Sequence, residues 1–435
     1  MNRSGGLFLR PSTWGVGAFF VVVLGCGTLL RFAQGIDVGE EHALYILYYL
    51  GLGCLFVWFT IKGLGIVHYR GWLGALFLCW KIPLGFALVY LLLTRYEGGD
   101  FGRYFHLPLA ALKGIHAYHW DEVKGDGTNL ASCMIFLIFN VLPVSLYGLS
   151  IVFGTMSFCA FLVIYRIFEE RVASPGALLF ALFLLPSISL QSSYVGKDGF
   201  VLVLTAVLIF WLDRYFRGKN RAKCLFWIGF CLAGIWMFRN YQSLLVLVAL
   251  YFTVMARLSL IGRLIMIFLG VLLFLAAWRE DVLRMVIWTL DEGPVSMTSL
   301  INAIEVVYSG GSLMLRPLPF PLQLFQVFRP FPWEANNLLS ALSGVENAAV
   351  LCFCLWFLIV DWREVFRRIR KDPRLTFLTA YSAVFIMAFS FSSNMGDLSR
   401  RRIYFISLLL ICFLRASTFQ NGKISAKRGL DARDE

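Results

Sequence analysis

Cations stand beside acids and aromatic rings in short polar breaks of an otherwise apolar chain. Lys197 lies in YVGKDG (194–199), Arg239 in FRNYQ (238–242), Arg329 in FRPFPWEANN (328–337), and Arg400, Arg401 and Arg402 in NMGDLSRRR (394–402). Two further breaks, GDFGRYF (99–105) and LRP (315–317), add Arg103 and Arg316. Arginine offers a planar fork suited to bidentate binding of phosphate or carboxylate, so the group as a whole points to an anionic ligand. Structural roles compete at each position. Asp198 stands where it would cap a helix. Arg239 ends an apolar run and can snorkel to the interface. Arg329 and Glu334 can brace their loop as an ion pair.

The elements that must hold these residues are membrane helices. The chain has 435 residues, 59% of them hydrophobic, and a mean hydropathy of +0.74. Apolar runs of helix-spanning length recur from end to end. Hydropathy places about twelve spans, at 14–33, 43–61, 71–94, 146–166, 176–192, 199–216, 225–238, 243–258, 264–278, 342–360, 376–392 and 403–415. The expected fold is thus all-α, a polytopic transmembrane helical bundle over 1–415 with a basic cytoplasmic tail, expected to be disordered, over 416–435. The Arg3 and Arg10 region, followed by an apolar run, Arg31 and a polar loop, reads as a retained first helix rather than a cleaved signal.

Basic residues then sort by face. Lys62 and Arg70, Arg166 and Arg171, Arg214 through Lys223, Arg257 and Arg263, and DWREVFRRIRKDPR (361–374) fall on one side if both termini are cytoplasmic. That is the ordinary positive-inside distribution. The breaks described above fall on the opposite face, where Lys and Arg need another cause. The same face holds two long loops, 95–132 and about 279–341, and loops of that length are more often functional than idle. The first is extended by MIFLIFNVLP (134–143), too short to span comfortably and suited to a re-entrant or interfacial position. The second carries a possible amphipathic piece near 281–290, a Gly-Gly at 310–311 and a proline-rich run that excludes regular helix.

Several functions are disfavoured. The net charge of +13 reflects cytoplasmic loops and contact with anionic lipid. No soluble basic domain exists to hold nucleic acid. The ten cysteines lie almost all in apolar runs without metal-ligand spacing. His116 and His119, in HAYH, lack a third ligand, so neither a metal nor any other cofactor is expected. No internal repeat supports an inverted-repeat transporter, and Lys81 is the only clear mid-helix lysine.

Taken together, LPSISLQSSYVGKDG, FRNYQ, FRPFPWEANNLLSALSGVE and NMGDLSRRRIYF resemble a family of polytopic inner-membrane proteins of bacterial polysaccharide assembly, similar to Wzy-type repeat-unit polymerases. The matching positions are Pro186, Ser187, Lys197 and Asp198, then Arg239, then Arg329, Pro330, Phe331, Trp333 and Glu334, then Asn394, Gly396, Arg400 and Arg402. FRNYQ departs from the Arg-Pro of the family pattern. The resemblance implies transfer of a growing glycan from undecaprenyl diphosphate to a new lipid-linked repeat unit at the periplasmic face. Substrate-binding residues would be Lys197, Arg239, Arg316, Arg329, Arg400, Arg402, Arg103, Tyr104 and Trp333. Fixed cations would stabilise the leaving diphosphate, and Asp100, Asp198 and Glu334 are the candidates to act on the acceptor hydroxyl. The partners implied are the lipid-linked oligosaccharide, membrane lipid and a chain-length regulator. An O-antigen ligase or other lipid-phosphate glycosyltransferase, and a flippase of lipid-linked glycan, are the alternatives. Lys197, Arg239, Arg329 and Arg400 are expected to converge on one diphosphate.

Overall fold

The computed structural model describes residues 25–31, 34, 43–66, 68–95, 100–116, 118, 127–169, 172, 174–259, 261–262, 322–334, 338–390 and 400–416. These residues are all-helical, with no strand among them. In a hydrocarbon medium each backbone N–H and C=O must be satisfied within its own segment, and apolar helices achieve that. Among the described residues five helices are long and apolar enough to cross a membrane: Ala43–Leu64 (α1), Arg70–Leu91 (the start of α2, which continues to Arg95), Leu146–Phe168 (α5), Lys197–Phe216 (α8) and Arg221–Phe238 (α9). Shorter helices are Asp100–Leu112 (α3), Gly127–Val141 (α4), Pro175–Leu179 (α6), Pro186–Gln191 (α7), Asn240–Met255 (α10), Pro373–Phe389 (α12) and Ile406–Ala416 (α13). A single long helix, Leu338–Lys371 (α11), precedes α12. The expected span at 264–278, the amphipathic piece near 281–290, the Gly-Gly at 310–311 and the tail lie outside the described residues.

α5 is the central post. Within its apolar window 72% of residues are buried, against 22% for α9, so α9 turns most of its surface outward. α5 packs on α1, α2 and α8, and α8 packs along α9. The α8–α9 hairpin turns on Gly218 and Asn220, both at positive φ, with the Asn220 side chain accepting from the Lys223 N–H. The hairpin brings the start of α8 beside the end of α9. At that end the chain breaks at Arg239, in an extended conformation, before α10 begins.

Three elements differ from the hydropathy reading. The expected single span 176–192 is interrupted: a π turn at Phe180–Leu184 is followed by extended Leu185, and Pro186 opens the separate α7. Proline lacks an N–H and clashes with the preceding turn, and it disfavours helix at the residue before it. Ser189 Oγ donates to the Phe183 carbonyl at 2.6 Å and Ser407 Oγ to the Ala181 carbonyl at 3.2 Å, which satisfies carbonyls near the break. Next, the expected cytoplasmic connection 361–374 is largely helical: its first part forms the last turns of α11, with Arg368, Arg370 and Lys371 at the C-terminal end, where cations complement the helix dipole, and Pro373 already opens α12. Finally, the expected loop 95–132 contains α3 and the start of α4.

α2 also carries a π turn, Phe77–Lys81. It holds the buried Lys81 midway along the span. A lysine at mid-bilayer costs about 2.5–3.5 kcal/mol on insertion scales, so its contacts matter and are taken up below.

Candidate functional site

At one end of the bundle a carboxylate from the first turn of α8 is clasped by groups from two other segments. Arg239 Nη2 lies 2.5 Å from Asp198 Oδ1, and the pair is nearly sealed, at 6% and 5% side-chain exposure. Tyr404 Oη donates to the same Oδ1 at 2.6 Å. Arg239 Nη1 also donates to the Tyr241 hydroxyl two residues along. Arg239 is placed by the chain break that separates α9 from α10, and Tyr404 by a 3-10 turn, Arg402–Tyr404, that precedes α13.

Further cations stand close along the chain. Lys197 immediately precedes Asp198, and Arg400 lies two residues before the turn that carries Tyr404. Lys197 Nζ donates to Thr128 Oγ1 at 3.1 Å. The Arg400 guanidinium lies over the Tyr194 ring at 5.6 Å, and Arg401 over Tyr241 and Phe389 at 4.7 and 4.4 Å. Glycines allow the surrounding elements to close in. A Cβ on Gly196 would stand 2.8 Å from the Tyr104 ring, and one on Gly127 would stand 2.1 Å from the Phe238 carbonyl oxygen. Tyr104, from α3, is therefore packed against the turn that leads into Lys197 and is itself buried.

A second cluster lies on the other side of the Arg402–Tyr404 turn. Arg329 forms a bidentate pair with Glu334, Nε at 2.8 Å and Nη2 at 2.5 Å from Oε1. Its Nη1 donates to Gln326 Oε1 at 3.0 Å, and the Phe331 N–H donates to Glu334 Oε2 at 2.9 Å. The result is a knuckle of two 3-10 turns, Leu322–Phe328 and Pro332–Glu334, in keeping with proline density that forbids regular helix. The knuckle sits directly on α11: a Cβ on Gly344 would meet the backbone of Phe331 and Pro332 at 2.8 Å. Asn347 Nδ2 donates to the Pro330 carbonyl at 3.0 Å. Arg402, only 1% exposed, ties the parts together by donating to the Val327 carbonyl at 2.9 Å and to Asn347 Oδ1 at 3.0 Å. Glu346, one residue before Asn347, accepts from the Ser187 N–H at 2.7 Å and from the Ser187 hydroxyl.

The expected convergence of four cations on one point therefore divides. Arg239 pairs with Asp198, Lys197 precedes that aspartate and donates to Thr128, and Arg400 lies over Tyr194, whereas Arg329 carries its own carboxylate, Glu334, and Arg402 is engaged by the knuckle and α11. Physically, an i,i+5 pair on a proline-stiffened turn closes locally before any distant group can compete. Asp198 stands as counter-ion to Arg239, and Glu334 as the clamp on Arg329. Trp333 is 78% exposed and stacks on Phe331 at 5.0 Å, presenting a ring at the surface. Arg103 is exposed on α3, one residue before Tyr104. The side chain of Asp100, and all of Arg316, Asn394, Gly396 and Asp397, lie outside the described residues.

Tyr404, Glu346, Asn347 and Gln326 were not singled out by the sequence reading. Glu346 carried a signal, a lone acid inside the apolar run of α11, where an ionisable residue marks a paired or functional position. Tyr404 carried none, since its hydroxyl meets a residue 206 positions away. Comparison with family models, curated proteins and solved structures found no match.

Proposed function

We propose that this protein polymerises undecaprenyl-diphosphate-linked oligosaccharide repeat units at the periplasmic face of the inner membrane. The observation that carries the reading is the buried Arg239–Asp198 pair joined by Tyr404, with Lys197 next to Asp198 in sequence and Arg400 over the Tyr194 ring. Cations held in place by burial and by aromatic packing at helix ends offer fixed donors to an incoming anion. In the reaction the acceptor hydroxyl of one lipid-linked unit attacks the anomeric carbon of the glycan on another. The glycosyl–oxygen bond to the lipid diphosphate breaks, the acceptor's proton is released, and the diphosphate departs with its charge. Asp198 holds Arg239 in place before the substrate arrives, so the guanidinium needs little reorganisation as the leaving group forms; such preorganised stabilisation is a large catalytic term. The half-buried Tyr241 supplies a ring beside the cations for a sugar face, while Tyr104 and Tyr194 are buried. The exposed Trp333 ring offers another such face at the edge of the second cluster.

The test is a deletion strain complemented with the native chain or with Arg239→Ala. Loss of long glycans with single repeat units retained on their acceptor, restored by the native chain but not by the variant, is the expected result. Long chains that build up on lipid but never reach the acceptor would identify a ligase instead. Repeat units trapped on the cytoplasmic side would identify a transporter.

A further inference from the structure

We infer that Lys81 is a positioning residue, which sets the turn carrying Tyr194, Lys197 and Asp198; the inference rests on the reading of that segment as the functional site. Lys81 is buried at the middle of α2, and among the described residues its ammonium faces no carboxylate. Its two contacts both fall on one short segment: the Ser189 carbonyl at 2.9 Å and the Ser192 hydroxyl at 2.5 Å. That segment is the end of α7. It follows a break at Leu185 and runs directly into the site, and its own backbone bonds are all local, from Ser189 to the Leu185 carbonyl through Tyr194 to that of Gln191. Ser193 Oγ also donates to the Ser189 carbonyl, at 3.1 Å, which makes this oxygen the hub of the turn.

The rest of α2 is shaped to receive the same turn. Gly85 lies four residues on from Lys81, on the same helix face, and a Cβ there would stand 3.5 Å from Ser193 Cβ. The π turn Phe77–Lys81 widens the helix at the point from which the lysine projects, and π turns of this kind recur at functional positions. The chain of bonds continues into the other π turn: Lys81 holds Ser189, and Ser189 Oγ holds the Phe183 carbonyl at 2.6 Å. Glu346 fixes the opposite end of α7 through Ser187. The broken helix is thus held at its first residues by an acid from α11 and at its last by a lysine from α2. An ordinary apolar side chain at position 81 would fill the same space but leave the Ser189–Ser193 turn free to shift, and with it Lys197 and Asp198.

The experiment uses the full chain in native-membrane vesicles with Val195→Cys as reporter, since Val195 is buried at 1% exposure just before Gly196. Modification by a methanethiosulfonate reagent is read by peptide mass spectrometry, with the buried native Cys224 and Cys231 as internal controls. Lys81→Met should speed modification at position 195 about tenfold, as expected for local opening of one structural unit, while both controls stay protected. Lys81→Gln, which keeps a donor without the charge, should stay within about twofold of native. Ser192→Ala, which removes one partner and leaves α2 intact, should open the reporter by about threefold. A protected reporter in Lys81→Met would overturn the inference. So would joint opening of position 195 and Cys224, because that describes general destabilisation, or a Gln variant as open as Met. Glycan profiles of the same strains separate the two layers. If Lys81→Met opens the reporter while Arg239→Ala leaves chain length unchanged, the polymerase reading fails and the positioning role stands.

Discussion

The helix α8 carries a buried carboxylate at each end, and the two are used differently. Asp213, in its last turns, forms ion pairs with Arg217 at 2.8 Å and with Arg374 at 2.7 Å. Arg217 is four residues along the same chain and 41% exposed; Arg374 opens α12. The Arg374 pair joins α8 to α12, while the exposed guanidinium of Arg217 leaves its own pair screened by water. Asp198, in the first turn, meets an arginine that is 6% exposed and a tyrosine from the far end of the chain. Lys197 adjoins it in sequence, and Arg400 and Arg401 lie over the rings of Tyr194 and Tyr241. The same residue type on the same helix thus makes a brace at one end and the counter-ion of a crowded cationic centre at the other. Both carboxylates are buried, so it is burial of the partner arginine that separates them: Arg239 is sealed, whereas Arg217 reaches water, and desolvated charges interact strongly and forgive little.

The comparison breaks most visibly at Asp198. Asp198→Asn removes the charge opposite a buried guanidinium, and breaking a buried pair costs about 3–5 kcal/mol. The expected outcome is a clear fall in melting temperature of the detergent-purified protein together with loss of long glycans in the complemented strain. The double variant Asp198→Asn/Arg239→Met removes both charges and should recover most of the stability, since an apolar replacement of a whole pair is often neutral. It should recover none of the polymer. Recovery of both would make Asp198–Arg239 a brace of the Asp213 kind, and the cationic centre would have no catalytic meaning.

How much of this was open to sequence reasoning depends on distance along the chain. Helices were legible because hydropathy is local, and so was the placement of Lys197, Asp198 and Arg239 at the ends of apolar runs. The break at Leu185 was also present in the sequence, as Pro186, but hydropathy averaging ran through it and made one span of 176–192. Partner choice was the part that local pattern does not encode. Nothing near Asp198 names Tyr404 as its hydrogen-bond donor, and nothing near Lys81 names Ser189 and Ser192. Arg329 had two readings, a ligand contact or a pair with Glu334. The structure contains the pair, which a rigid turn of five residues closes at little entropic expense. Glu346 was legible in principle as an acid inside an apolar helix.

Arg329 sharpens the comparison from a third position, since its carboxylate is local like that of Arg217 yet its guanidinium is buried like that of Arg239. Arg329→Lys keeps the charge but replaces a planar fork with a point ammonium, which cannot span Glu334 and Gln326 together. Losing one charge-assisted hydrogen bond costs about 1.5–3 kcal/mol. The knuckle 322–334 should become sensitive to limited proteolysis, and polymer yield should fall by about tenfold, the equivalent of 1.4 kcal/mol. A knuckle that stays resistant while yield still falls would show that Arg329 meets the substrate itself. Normal resistance and normal yield would show that charge alone suffices at this position.

The smallest effect is expected at Arg217, and it is the control on which the contrast depends. Its guanidinium is 41% exposed and reaches Asp213 within one helical turn. Exposed pairs at i,i+4 contribute about 0.3–0.5 kcal/mol, and Asp213 keeps Arg374 when Arg217 is removed. Arg217→Ala should therefore shift the melting temperature by little more than its measurement error and leave glycan length unchanged. The shift it does cause should shrink further at high salt, because an exposed pair is screened over distances of about a Debye length. The Asp198→Asn deficit should not respond to salt in this way, since its partner is sealed from water. If Arg217→Ala instead shortened the glycans as strongly as Asp198→Asn, the two ends of α8 would be functionally alike. Burial of the partner arginine would then not be what separates a site from a brace in this protein, and the assignment of the centre to the Asp198 end would lose its physical basis.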